Sequence, residues 1–468
     1  MSFFKAYDMR GTFGVDFGLD TVYRIGKELP AVINEANGDA RDKRCRILIG
    51  RDARITSDQM RDALISGLIE ANAEVVDMGR CTTPMVYFFT ATDGYDGSVM
   101  ITASHNPPSD NGLKVSRRTA LPVGYADGLN KIESIIVGSQ SCRKIDSFGR
   151  TADRVQSDGD YLSRYLGWMK KSLPDLSSLK LGIDCSNGMA SIFAKEMFQD
   201  AIILNGTVDG TFPSHSPNPL KAEAREQLSQ LVKSRNLDAG VIFDGDADRC
   251  MFVDENGDFV QPDYLIPVIA RAELKLHKSL ASDRKMTIIH DVRTSRGAIE
   301  AIRDLGAEPL MVPVGHAFAK PAIREKQALC GGELAGHYYF ERFFGCDSGL
   351  LAAIAVLGEV ANAKVSGSGS FSEIMSPISK KYANSGELNF KVEDKDAAID
   401  RVLDSAKILG KEISRSTLDG VRIEYDEGWI NIRKSNTEPY LRLIAETDND
   451  SRLDSWVQTL SNAIKGRD

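Results

Sequence analysis

The chain has 468 residues, 42% hydrophobic and 26% charged, with 58 Lys and Arg against 66 Asp and Glu for a net charge of −8. That length is too great for one hydrophobic core, and at ~100–200 residues per domain it predicts three or four domains. The acidic balance excludes a broad nucleic-acid surface, which needs cationic side chains to displace counterions, but leaves room for a local pocket that takes a small anion.

The chain opens on MSFFKAYDMRG, charged within its first five residues and without the apolar centre of a signal peptide. A short apolar strand with a charged turn follows at RILIGRDAR (46–54), then a helical pattern at SDQMRDALISGLIEANA (57–73). A second, Gly-led strand runs into a polar loop at GSVMITASHNP (97–107). The same order recurs at LKLGIDCSNG (179–188) and AGVIFDGDADR (239–249). It returns at MTIIHDVRTS (286–295), the helical SRGAIEAIRDLGA (295–307) and LCGGELAGHYYF (329–340). Strands alternating with helices predict an α/β class with mixed, mainly parallel sheets and functional loops at strand C-termini.

Joints are expected at the polar stretch 138–158, after the turn at 254–257 and at the Gly/Ser-rich VSGSGS (365–370). They give four domains: 1–150, 151–257 and 258–369 as three related α/β units, and 370–468 as a smaller α+β unit carrying NIRKSNTEPYLR (431–442). Seven cysteines, scattered and without a CxxC pair, suit reduced thiols better than a disulfide framework or a zinc site. The most apolar segment, 349–357, is far shorter than the ~20 residues that span a bilayer. A cytoplasmic protein without membrane or nucleic-acid partners is expected.

In DGDADR, Asp244, Asp246 and Asp248 follow the apolar run 241–243, where three close carboxylates would repel unless a cation lay between them. A calcium loop of EF-hand type is the rival, because Glu255 stands at its twelfth place. Its sixth place, which needs glycine, is Arg249, and the preceding run reads as a strand. Three protein oxygens suit Mg2+ completed by a phosphate, while the bland alternative is a solvated acidic turn.

Ser104, in TASHNPPSDNGLKV, lies outside the GxSxG context of a hydrolase nucleophile and taken alone is a turn serine. On an extended backbone its neighbour His105 would face the opposite way and is not obviously its base. Phosphorylated, Ser104 would carry nearly two negative charges and offer the ligand that the aspartates lack. Lys114 and Arg249 would then neutralise the transferring group. In GGELAGH, Glu333 and His337 stand among glycines, and a carboxylate can accept from the vicinal hydroxyls of a pyranose. RKSNTEP (433–439) gathers cations, hydroxyls and an amide into a candidate phosphate cradle. Either of these two loops, read alone, is more often a capped turn. Three of the six histidines, His105, His316 and His337, fall beside such loops.

Taken in order, FKAYDMRG, GRDARITS, TASHNPPSDNGLKV, DGTFPSHSPNPL, DGDADR, VGHAFAK, GGELAGHYYF and RKSNTEP resemble the α-D-phosphohexomutases along the whole chain. That family includes phosphomannomutase/phosphoglucomutase and phosphoglucosamine mutase. The resemblance implies four domains around a central cleft, the last of them mobile, with Ser104 as the phosphoserine. It implies Mg2+ on Asp244, Asp246, Asp248 and phospho-Ser104, with Tyr7, Arg10, His105, Lys114 and Arg249 around the transfer. His316, Glu333 and His337 would touch the sugar, while Arg433, Ser435, Asn436 and Thr437 would hold the idle phosphate.

Phospho-Ser104 would convert a hexose phosphate into a 1,6-bisphosphate that turns round and returns its other phosphate. Lys114 is expected as the acid/base, with His337 second. Two positions depart from the family pattern: Ala335 replaces the usual serine of the sugar loop, and the substrate-binding candidate Arg293 replaces a frequent lysine. Mannose and glucose phosphates are the expected substrates, glucosamine phosphate is the rival, and the assembly is expected to be a monomer or homodimer. A non-catalytic sugar-phosphate sensor would be expected to have lost Ser104 or an aspartate, and all four are present.

Overall fold

Apolar runs bounded by Gly and charged residues become strands covered on both faces, as parallel strands flanked by helices are. RILIGR forms β2, whose four central residues are all buried. The computed structural model describes residues 3–138, 155, 160–278, 286–435 and 440–466. Two compact units emerge: Met1–Val260 with Ala335–Phe371, and Gln261–Leu334 with Ser372–Asp468.

The first unit opens with a sheet of β1 (Met9–Thr12), β2 (Arg46–Arg51), β3 (Glu74–Arg80), β4 (Gly97–Ile101), β5 (Asp110–Arg117) and the short β6 (Leu121–Pro122). Its order is β1-β5-β4-β2-β3, with β6 beside β5. The trio β4-β2-β3 is parallel, and β1 and β6 pair antiparallel to β5, itself antiparallel to β4. Ile47, Ile49, Val99 and Ile101 pack against Val22, Ile25, Leu64 and Leu68 of the helices Leu19–Asn37 and Ser57–Glu70.

The second sheet has β7 (Leu181–Asp184), β8 (Ile202–Leu204), β9 (Ala239–Phe243), β10 (Cys250–Val253) and β11 (Phe259–Val260). Its order β11-β10-β9-β7-β8 repeats a parallel trio, β9-β7-β8, followed by antiparallel strands. The turn at 254–257 is the expected hairpin, with Gly257 at φ 69°. The sheets are mixed, as read from the sequence, and antiparallel strands follow each parallel trio because the chain folds back directly after each functional loop.

In the second unit β12 (Thr287–Asp291) lies parallel to both β13 (Glu308–Val312) and β14 (Cys330–Gly332), the third copy of the trio. The three polar loops singled out in the sequence therefore follow topologically equivalent strands, β4, β9 and β14. The hairpin β15 (Tyr338–Phe340) and β16 (Cys346–Asp347) is counted with the first unit. So is the helix Gly349–Ser366. By length and composition that helix could cross a membrane, but 72% of its apolar window is buried inside the protein, which makes it a core helix. It also absorbs the first two residues of the expected VSGSGS linker, and Gly367 at φ 69° closes it. Apart from Val155, the polar stretch expected as a joint at 138–158 lies outside the described residues beyond Gly138.

The rest of the second unit is antiparallel: β17 (Ala383–Asn384), β18 (Leu388–Phe390), β19 (Glu412–Ser416), β20 (Val421–Tyr425), β21 (Gly428–Lys434) and β22 (Leu441–Thr447). The order is β17-β22-β21-β20-β19, with β18 also on β22. Ile430, Ile432, Leu441 and Leu443 meet Val402, Trp456 and Leu460 of two covering helices. Arg422 of β20 donates to the carbonyls of Val292 (2.6 Å) and Thr294 (3.0 Å), and Arg296 reaches Glu424 of β20 (3.0 Å). This smaller sheet is thus tied to the segment after β12 by the buried Arg422 and the half-buried Arg296.

Candidate active site

Ser104 sits three residues beyond β4, only 2% exposed, at φ 50°. Its N–H donates to Thr102 Oγ1 (2.8 Å) and its hydroxyl to Asp244 Oδ2 (2.6 Å). Arg249 Nη2 donates to the same hydroxyl (3.1 Å), and Arg249 Nε donates to Asp244 Oδ2 (3.1 Å). The left-handed turn corrects the expectation for His105. Strand alternation does not apply there, and His105 Nδ1 lies 3.3 Å from Ser104 Oγ, beside Arg249.

The three aspartates are fully buried, with carboxylate oxygens within 4.8 Å of one another. Gly245 is required between the first two, because a Cβ there would come 2.5 Å from the Ser104 carbonyl oxygen. Lys114, from β5, donates to Asp246 Oδ2 (2.8 Å) and Asp248 Oδ2 (2.5 Å), and the Thr83 hydroxyl donates to Asp246 Oδ2 (2.6 Å). These donors occupy the Oδ2 oxygens. Asp246 Oδ1 and Asp248 Oδ1 are buried without a hydrogen-bond partner among the described residues.

Burial, then Asp248 and Asp246, push the Asp244 carboxyl well above the ordinary range, and burial with Asp246 raises Asp248. Burial also pushes Asp246 up, but Lys114 and Thr83 prevail and bring it to about 2. Burial would lower Lys114, yet the two aspartates hold its proton more tightly than usual. A hard, oxygen-only donor set with two buried oxygens left without hydrogen bonds among the described residues, and with mutual repulsion, fits a divalent cation of the Mg2+ kind.

Arg10, on β1, donates to Asn106 Oδ1 (3.1 Å) of the serine loop and to Asp8 Oδ2 (2.7 Å), and Tyr7 lies just before that strand, half-buried. His337 is brought in by an isolated backbone bridge to Arg249. Its Nδ1 lies 2.7 Å from Asp347 Oδ2, a carboxylate 1% exposed, and 3.9 Å from Asp248 Oδ1. Because a carboxylate accepts, Nδ1 carries the proton in this pair. Ser104, His105, Lys114, Arg10, Arg249, His337 and the aspartates therefore form one cluster in the first unit.

The remaining candidates lie in the second unit. Arg293 donates through Nε and Nη2 to Asp291 (Nη2 at 2.6 Å) and has Glu333 Oε2 at 4.0 Å. Glu333 is 2% exposed, and His316 opens the helix His316–Glu325. Arg433 Nη2 (2.9 Å), Arg442 Nη1 (3.1 Å) and Arg293 Nη1 (3.4 Å) converge on Glu387, a residue without any sequence signal. The Ser435 N–H bonds the Tyr440 carbonyl (2.9 Å), while Asn436 and Thr437 lie outside the described residues.

Burial would raise the Glu387 carboxyl, but Arg293, Arg433 and Arg442 bring it from an ordinary 4.5 down to about 2. At ~1.4 kcal/mol per pH unit this stabilises the folded unit by about 3 kcal/mol, fully present above pH 4.5 and lost as pH falls toward 2. Glu387→Gln should therefore lower the urea midpoint at neutral pH, with the gap from the parent narrowing near pH ~3. An equal gap at both pH values would contradict it.

Family models describe the pattern. Those for phosphoglucomutase/phosphomannomutase alpha/beta/alpha domains I, II and III match residues 1–141, 161–257 and 261–382, and that for the C-terminal domain matches 387–463. A phosphomannomutase of Vibrio cholerae is 33% identical over 477 residues, covering 99% of this chain and 98% of its own. One from Methanocaldococcus jannaschii is 34% identical over 468 residues, covering 98% and 97%. The crystal structure of a phosphoglucomutase/phosphomannomutase family protein from Burkholderia thailandensis superposes with a TM-score of 0.82 at 29% identity, covering 99% and 97%.

Proposed function

This chain belongs to the phosphoglucomutase/phosphomannomutase family and is a hexose-phosphate mutase, and from that premise we propose that Ser104 is its phosphoryl carrier. The observation that carries the reading is the Ser104 hydroxyl, bonded at once to Asp244 and Arg249 across a separation of about 140 residues. The four domains are assigned to 1–150, 151–257, 258–369 and 370–468, with the spans matched by the family models in support.

In the first transfer a sugar hydroxyl oxygen attacks the phosphorus on Ser104. The new P–O bond to the sugar forms as the bond to Ser104 Oγ breaks, and the hydroxyl proton passes to a base. Arg249, donating to Oγ, stabilises the charge that develops on the leaving oxygen, and Lys114 and Arg10 keep further positive charge beside it. Asp244, Asp246, Asp248 and the phosphoserine would hold Mg2+, which neutralises charge on the phosphoryl group when bound. The reverse transfer uses the same groups on the second phosphate of a 1,6-bisphosphate.

The order of the two acid/base candidates is reversed from the sequence expectation. Lys114 is held as a cation by two aspartates, whereas His337 has its Nδ1–H committed to Asp347, which leaves Nε2 as the basic nitrogen of the ring. His337→Gln should lower kcat by roughly 10²–10⁴-fold with little change in KM. A kcat within about threefold of the parent, far inside that range, would remove His337 from the role.

Glu333 and His316 are assigned to the sugar. Arg293, Arg433, Ser435, Asn436 and Thr437 are assigned to the idle phosphate, whose dianion suits a guanidinium fork. Relatives named phosphomannomutase support mannose phosphate as a substrate, with glucose phosphate beside it. The deciding experiment compares mannose, glucose and glucosamine 1-phosphates, with and without added 1,6-bisphosphate. Turnover of the first two, stimulated by the bisphosphate, is expected; turnover of glucosamine phosphate alone would overturn the assignment.

A further inference from the structure

Two motifs take no part in the chemistry above, GRDAR (50–54) and DGTFPSHSPNPL (209–220), and both meet behind Ser104. The Arg54 side chain is fully buried. Its Nη1 donates to the carbonyls of Pro107 (2.6 Å) and Asp110 (2.8 Å), and its Nη2 to those of Ser104 and Asn106 (both 2.8 Å). Its Nε donates to Asp52 Oδ2 (3.1 Å), so all five N–H donors of the guanidinium are spent, four of them on the serine loop.

Asp52, 1% exposed, also accepts from the Thr102 hydroxyl (2.7 Å), and Thr102 Oγ1 in turn accepts the Ser104 N–H (2.8 Å). Both backbone polar groups of Ser104 thus lead back to the Asp52–Arg54 pair. That pair fixes the peptide on either side of a residue held at φ 50°, where serine rarely rests.

The second motif covers this clamp. The Phe212 ring centroid lies 5.1 Å from the Arg54 guanidinium carbon. Gly210 is pressed so closely on the same turn that a Cβ there would come 2.0 Å from the Ala53 carbonyl oxygen. His215 Nε2, 3.1 Å from the buried Asp184, anchors the loop further on.

We propose that Arg54 is a positioning residue for phosphoryl transfer, holding Ser104 in its left-handed conformation, and that residues 210–212 lock it there. The inference rests on Ser104 being the phosphoryl carrier. A lysine keeps the charge but offers three donors from one point and cannot span four carbonyls.

The test is Arg54→Lys in the full chain. Steady-state kinetics are normalised to folded protein, alongside the rate at which Ser104 takes a phosphoryl group from glucose 1,6-bisphosphate. Expected is a fall in kcat of roughly 10²-fold with KM within about threefold, and an equal slowing of Ser104 loading. A merely structural arginine would alter the folded fraction and leave both rates alone; rates per folded molecule equal to the parent's overturn the proposal. Should Arg54→Lys fail to fold, Phe212→Ala decides. A roughly fivefold loss of kcat supports the clamp, and an unchanged kcat overturns it. An active Ser104→Ala would overturn both this inference and the reading beneath it, while an inactive Ser104→Ala beside a fully active Arg54→Lys overturns the inference alone.

Discussion

Ser104→Ala should lower kcat by roughly 10⁴–10⁶-fold, the scale on which removal of a covalent nucleophile is felt. The fold should survive. The substitution deletes two charge-assisted hydrogen bonds, the one the hydroxyl donates to Asp244 and the one it accepts from Arg249 Nη2, each worth about 1.5–3 kcal/mol, while Asp244 keeps its bond from Arg249 Nε at 3.1 Å. Unfolding by urea followed beside the kinetics separates the two effects. A Ser104→Ala enzyme that turns over at the parent rate would take the phosphoserine out of the mechanism.

Removing divalent cations should be almost as damaging. Without a cation the transferring phosphoryl group meets three buried aspartates, two of them with an oxygen that has no hydrogen-bond partner among the described residues. Dialysis against a chelator should lower kcat at least ~10³-fold, since charge stabilisation supplies most of the catalysis in phosphoryl transfer, and Mg2+ should restore it. The protein itself should respond too. Mg2+ at about a hundred times its dissociation constant should raise the unfolding free energy by ~2.7 kcal/mol, provided the unfolded chain does not bind it. Asp248→Asn should lose that gain. An enzyme indifferent to the chelator, with no Mg2+-dependent stabilisation, would exclude the acidic loop as a metal site.

Much of the architecture was legible in the sequence, because buried parallel strands announce themselves as short apolar runs ended by Gly and charge. The three polar loops were correctly placed after such runs, and β4, β9 and β14 occupy equivalent positions in their trios. Local pattern does not reveal where the chain turns back, so the antiparallel strands that follow each trio and the packing of the helix Gly349–Ser366 in the unit of the first two sheets could not be placed from it.

In the candidate site, motif residues with chemistry in their own side chains stand out in the sequence. Those that act by holding others were missed. Asp347 behind His337 and Thr83 behind Asp246 carry no motif, and Glu387 meets its arginines across 46, 55 and 94 residues. Nothing in the spelling of GRDAR says that four carbonyls await its arginine. The left-handed Ser104 was equally hidden; only glycine would have advertised it. The two aspartates that hold the proton of Lys114 lie 132 and 134 residues away in sequence, so the lysine alone does not show how firmly it is kept a cation.

The most direct measurement follows one phosphoryl group. Enzyme incubated with labelled glucose 1,6-bisphosphate, digested and mapped by mass, should carry the label on Ser104 alone, and unlabelled hexose 1-phosphate should then remove it into sugar bisphosphate at a rate no slower than turnover. A label on any other residue, or one that stays on Ser104 while turnover proceeds, would contradict the account.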